Sequence, residues 1–136
     1  AYEITRWLEF RRVLFRSPHP SQSFLLHTLQ NKKFLEQQAE KVAILKSRFE
    51  ETKKAAYDQE YQEYWRVYPF NSGYFMCLQL KGVEAEDTRQ HLLKKFGIGT
   101  ISTGKHDLRI AFSSLEEESI SDVFATIAQA VRDLRE

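Results

Sequence analysis

Apolar positions follow two rhythms along the chain, and the change between them marks out the elements. From Phe34 to about Tyr57, Leu35, Ala39, Val42, Leu45, Phe49 and Ala56 recur in steps of three, four and seven. That spacing predicts a long amphipathic helix whose other face, rich in Glu, Lys, Gln and Arg, is solvated. A shorter helix is expected over residues 21–30, with Phe24, Leu25 and Leu29 on one side and Ser21 as its cap. Pro18 and Pro20 should keep the backbone before it extended.

After Glu63 the period shortens to two. Tyr64 to Phe70 reads as a strand, as does Gly73 to Leu80, where Tyr74, Met76, Leu78 and Leu80 alternate with Phe75, Cys77 and Gln79. Glu84 to Phe96 returns to helical spacing, with Ala85, Leu92, Leu93 and Phe96 inward and Gly97 as the C-cap. Ile98 to Ser102 and Asp107 to Phe112 form a hairpin about the Thr103-Gly104-Lys105 turn. Ser114 and Glu117 have the spacing of a capping box, and the helix after them should bury Ile120, Val123, Phe124, Ile127, Val131 and Leu134. The order strand, strand, helix, strand, strand, helix predicts an α+β fold: a small, mainly antiparallel sheet with helices on one face, preceded by the long amphipathic helix.

Composition narrows the classes. A length of 136 residues suits one domain, and ten Phe, six Tyr and two Trp can fill its core. A single cysteine excludes an internal disulfide and suits a reducing, cytoplasmic setting. No apolar run approaches the roughly 20 residues of a membrane helix. The net charge is +1, but residues 1–17 hold four Arg and two Glu, and the remainder has 16 basic and 17 acidic residues. The folded part therefore lacks the basic excess that nucleic-acid binding favours. His19, His27, His91 and His106 show no metal-ligand spacing with one another or with Cys77. Cys77 sits mid-strand without an evident base, which favours inert core over nucleophile. No lysine has the desolvated setting of a Schiff-base former.

Arg109 carries the chemical interest. It lies in the run Asp107-Leu108-Arg109-Ile110-Ala111-Phe112, pointing away from the face of Leu108, Ile110 and Phe112. A guanidinium on a strand needs an anion, and its planar fork matches a carboxylate. That anion is either a cross-strand acid or a ligand. Asn71-Ser72-Gly73 reads as a turn, since Asn and Gly tolerate positive φ.

These segments and the helices around them resemble the small C-terminal domain of class I/II, fold-type-I aminotransferases that use pyridoxal 5'-phosphate. The resemblance runs from about Pro18 to Glu136. It implies that Arg109 grips the substrate α-carboxylate, with Asn71, Gly73 and Tyr74 near the substrate side and no catalytic residue in this chain. It implies pyridoxal phosphate in an intact, homodimeric parent acting on amino acids and 2-oxo acids. The cofactor lysine would lie in a large domain outside this chain, so the fragment would be inactive alone, with no cofactor bound. Two alternatives stay open: a stand-alone regulatory module for a small ligand, and a fragment of a related carbon–sulfur lyase or acyl-condensing synthase. Residues 8–17 match the ten-residue translation of a common sequencing adapter, so 1–17 is expected to be a non-native leader and 18–136 the domain.

Overall fold

A computed structural model describes residues 19–31, 33–71 and 73–135. The leader expected over 1–17 lies outside these residues, as does Ser72. The chain divides into two compact units after Val42.

In the first unit, helix α1 spans His19–Gln30. It starts before the cap expected at Ser21. Pro20 is the second residue of the helix, where a missing N–H is no loss and the fixed φ already suits helix. Phe24, Leu25, Leu26 and Leu29 are all exposed. Helix α2, Lys33–Ala56, begins in this unit, where the Asn31 side chain accepts from Lys33 N at 3.0 Å, and from Ala43 onward belongs to the second. Its apolar stripe is buried less than its periodicity predicts, for Leu35 and Val42 are exposed. Burial is confined to its last turns, at Thr52, Ala55 and Ala56, with Phe49 packed against the core.

In the second unit the chain leaves α2 through a 3-10 turn, Gln59–Tyr61, capped by Asp58. Four strands follow as one sheet: β1 Trp65–Val67, β2 Met76–Leu80, β3 Ile101–Ser102 and β4 Asp107–Ile110. Their order is β1-β2-β4-β3, and every neighbouring pair is antiparallel. β2 and β3 are therefore parallel, joined by a helix and separated by β4. That helix, α3 Ala85–His91, runs into one π-helical turn, Leu92–Phe96. Gly97 ends it at φ +69, the left-handed cap expected there. Leu92 is buried but Leu93 is half exposed, not inward as its sequence position suggests. Helix α4, Ile120–Asp133, closes the layer and buries Ile120, Phe124, Ile127 and Val131.

All four expected strands are shorter than their sequence patterns, because pairing ends at Val67 in β1 and at Ile110 in β4 and begins only at Met76 in β2 and Ile101 in β3. The capping box at Ser114 does not form. Its acids are already engaged: Ser47 donates to Glu117 Oε2 at 2.6 Å and Arg48 to Glu116 Oε2 at 2.9 Å. Ser114 instead donates to Ala111 O at 2.8 Å, and two 3-10 turns precede α4.

One continuous core joins the inner sheet face, Met76, Leu78, Leu80, Leu108 and Ile110, to Ala85, Leu92, Phe112 and the buried face of α4. An ionic tie crosses the two helices at its rim. Asp133 Oδ2 accepts from Lys95 Nζ at 2.6 Å and meets His91 Nε2 at 2.8 Å, while Gln129 donates to Oδ1 at 2.7 Å. Lys95 foremost, then His91 and Gln129, hold the Asp133 carboxyl well below the usual carboxylate range. A depressed folded-state pKa contributes stability above the unfolded value of about 4, and that contribution is lost as pH falls below it. The denaturant midpoint should therefore drop between about pH 5 and pH 2. Asp133→Asn should be less stable at neutral pH and should flatten that slope. An unaltered slope in the variant would assign the acid sensitivity to other carboxylates.

Candidate functional site

The outer face of the sheet is built by the residues that the core rejects. On β4, Leu108 and Ile110 point inward, so Asp107 and Arg109 point outward. Register places Cys77 of β2 and Ile101 of β3 directly beside Arg109, and Gln79 beside Asp107. Ile101, Phe75 and Tyr68 on this face are each at least 40% exposed, so a sheet surface with apolar and aromatic character is left open.

Arg109 is half-buried at the centre of that face. Its guanidinium carbon lies 4.0 Å from the Phe75 ring centroid, a cation stacked on an aromatic face. Its Nε is shut off from solvent without a hydrogen-bond partner. Among the described residues no carboxylate pairs with it. Of the two origins open for its anion, the internal acid is thus not found among the described residues. The carboxylate nearest in sequence, Asp107, accepts from the Tyr68 hydroxyl at 2.9 Å, and that hydroxyl in turn accepts from Gln79 Nε2 at 3.2 Å. Donation to Asp107 is the chief cause that pushes the Tyr68 phenol up from its ordinary value.

The other expected site residues lie at one end of this face. Asn71 and Gly73 are exposed in the connection between β1 and β2, and Gly73 has φ +98, a conformation L side chains rarely adopt. Tyr74 is exposed, and its carbonyl accepts from Ser113 N at 3.4 Å, just beyond β4. The ring that meets Arg109 is that of Phe75, not Tyr74. Phe75, Tyr68 and Asp107 carry no signal in the sequence that marks them as site residues. Their alternation was visible, but nothing in the sequence gives the β2–β4 register that brings them to Arg109. Cys77 is also on this open face and not in the core as expected. Burial raises its thiol pKa, with Thr103 Oγ1 at 3.9 Å, so an unreactive thiol remains the better description.

Every described lysine is exposed. None has the desolvated setting that lowers an amine's pKa for Schiff-base chemistry. The described residues therefore offer pyridoxal phosphate no Schiff-base lysine. Among them no group of His, Cys, Asp and Glu could hold a metal ion. No described helix is long and apolar enough to cross a membrane. A cleft of about 420 Å³ beside Glu84, Lys105 and His106 is lined by groups already engaged with one another.

No family model and no curated protein matches the sequence. Among solved structures, the chain is similar to LysN, an α-aminoadipate aminotransferase from Thermus thermophilus solved with N-(5'-phosphopyridoxyl)-L-leucine. The TM-score is 0.67 at 21% identity, over 81% of this chain and 30% of that one. The fold is that of part of an aminotransferase. At this identity the likeness is one of fold, and this chain spans under a third of that enzyme's length.

If Arg109 is not a fold-stabilising ion pair, its removal should scarcely affect folding. Arg109→Leu should shift the unfolding free energy by no more than about 1 kcal/mol, the scale of a single cation–aromatic contact. Denaturant unfolding at matched pH measures this. A loss of several kcal/mol would return Arg109 to a structural role.

Proposed function

We propose that residues 18–136 are the small C-terminal domain of a pyridoxal-phosphate-dependent aminotransferase, and that Arg109 binds the substrate α-carboxylate there. The observation that carries this reading is the guanidinium itself: central on an open sheet face, stacked on Phe75 and unpaired among the described residues. Native proteins seldom leave a half-buried cation without a partner, so such a group is kept for an external one. The fold likeness to part of an aminotransferase supports the reading, because the amino acids such enzymes act on carry an α-carboxylate.

On this reading the chain binds and orients and does not itself react. Arg109 offers its fork to both carboxylate oxygens, and Phe75 covers one face of the guanidinium against water. Asn71, Gly73 and Tyr74 border the substrate at the end of the sheet. The cofactor and its lysine belong to the remainder of the enzyme, a homodimer acting on amino acids and 2-oxo acids. The fragment alone is inactive, and residues 1–17 are no part of the domain.

In the full-length enzyme, Arg109→Leu should lower kcat/KM for amino-acid substrates by about two decades or more. That corresponds to about 3 kcal/mol for a partly desolvated bidentate contact, at 1.36 kcal/mol per decade. Steady-state transamination kinetics measure it. Unchanged kinetics would remove Arg109 from the substrate site.

A further inference from the structure

We infer that Tyr68 and Phe75 are positioning residues that keep the Arg109 fork open for an external carboxylate, Tyr68 by restraining Asp107 and Phe75 by stacking on the guanidinium. The inference rests on the carboxylate-binding reading of Arg109 and adds the means by which this chain prevents self-quenching.

Asp107 is the obvious competitor. It shares the outer face with Arg109, two residues away on β4, a Cα separation of roughly 6–7 Å at the rise of a strand. An extended arginine spans that gap, and an internal acid competes at an effective concentration few free ligands reach. Asp107 is nonetheless turned elsewhere. Oδ1 is taken by the Tyr68 hydroxyl, which Gln79 orients from the neighbouring strand. Oδ2 lodges against the hairpin turn, so close to Gly104 that a Cβ there would lie 2.5 Å from it. Gly104 thus makes room for the carboxylate, and Tyr68 fastens it.

Phe75 restrains the other partner. It is 42% exposed on the open face, and its ring lies over the guanidinium. Stacking occupies the guanidinium's face and leaves its edge, where the N–H donors point, for an incoming carboxylate.

The test uses the full 136-residue chain, sodium acetate as probe and the Arg109 Nε–Hε NMR signal as readout, at constant ionic strength. Wild type should show a saturable shift that Arg109→Leu removes. Tyr68→Phe should weaken acetate binding about tenfold, the scale of a charge-assisted hydrogen bond now satisfied internally. Adding Asp107→Asn to Tyr68→Phe should restore affinity to within about twofold, a rescue that generic damage would not give. Gly104→Ala should reproduce the loss without altering Tyr68, which keeps the test informative if Tyr68→Phe fails to fold. Phe75→Leu should weaken binding several-fold, and Phe75→Tyr should retain it. Wild-type affinity in Tyr68→Phe, or no rescue by Asp107→Asn, overturns the restraint by Tyr68. Wild-type affinity in Phe75→Leu overturns the role of the ring. Without acetate, Tyr68→Phe alone should already move the Arg109 signal, and Asp107→Asn should cancel that movement. If wild type binds no acetate, the carboxylate reading falls and takes with it the fork kept open for an external anion. The acetate-free spectra then still report whether Tyr68 holds Asp107 off Arg109.

Discussion

The antiparallel register of β2 and β4 is the constraint on which the other features depend. It sets Leu78 against Leu108 and Met76 against Ile110 on one side, and Cys77 against Arg109 and Gln79 against Asp107 on the other. Because the side-chain period of a strand is two, a slip of one residue would turn Arg109 and Asp107 into the core and expose the leucines. Burial of Leu78, Leu108, Met76 and Ile110 against α3 and α4 therefore fixes the register. The same burial brings Phe75, Tyr68, Asp107 and Arg109 to the open face. The core thus positions the candidate site without touching it.

That division of labour separates two kinds of polar network. On the covered side, acids are consumed by the fold. Asp133 ties α4 to the π-helical turn through Lys95, and Glu86 takes donors from Arg89, Gln90 and Ser102. On the open side the one arginine at the centre of the sheet has a stacking partner and no acid among the described residues. Among the other described arginines, Arg66 is exposed on β1 and the rest are engaged. Arg48 reaches Glu116 and the Ser113 carbonyl, while Arg132 and Arg135 pack on Tyr64 and donate to its hydroxyl or to backbone carbonyls.

Much of the architecture was legible because each element carries a strong local signal. The alternation of Met76, Leu78 and Leu80, the helical face of Ile120, Phe124 and Ile127, and Gly97 as a left-handed cap all match their sequence patterns. Arg109 was legible too, as a charge out of place in an apolar run. Failures came where partners distant in sequence decide the outcome. The acids of the Ser114 capping box are engaged by Ser47 and Arg48 on α2, 70 and 68 residues earlier. The stripe of α2 is apolar at Leu35 and Val42, yet both are exposed. Phe75 and Tyr68 are ordinary aromatic residues in the sequence and gain meaning only through strand pairing.

The proposed role requires that the Arg109 fork be free to take a carboxylate from outside the chain. A crystal structure of the 136-residue chain grown in a short monocarboxylate tests this most directly. It should show the anion bridging the edge of the Arg109 guanidinium, with Phe75 stacked behind it and Asp107 still bound to Tyr68. Arg109 closed onto Asp107, with the anion absent, would contradict it.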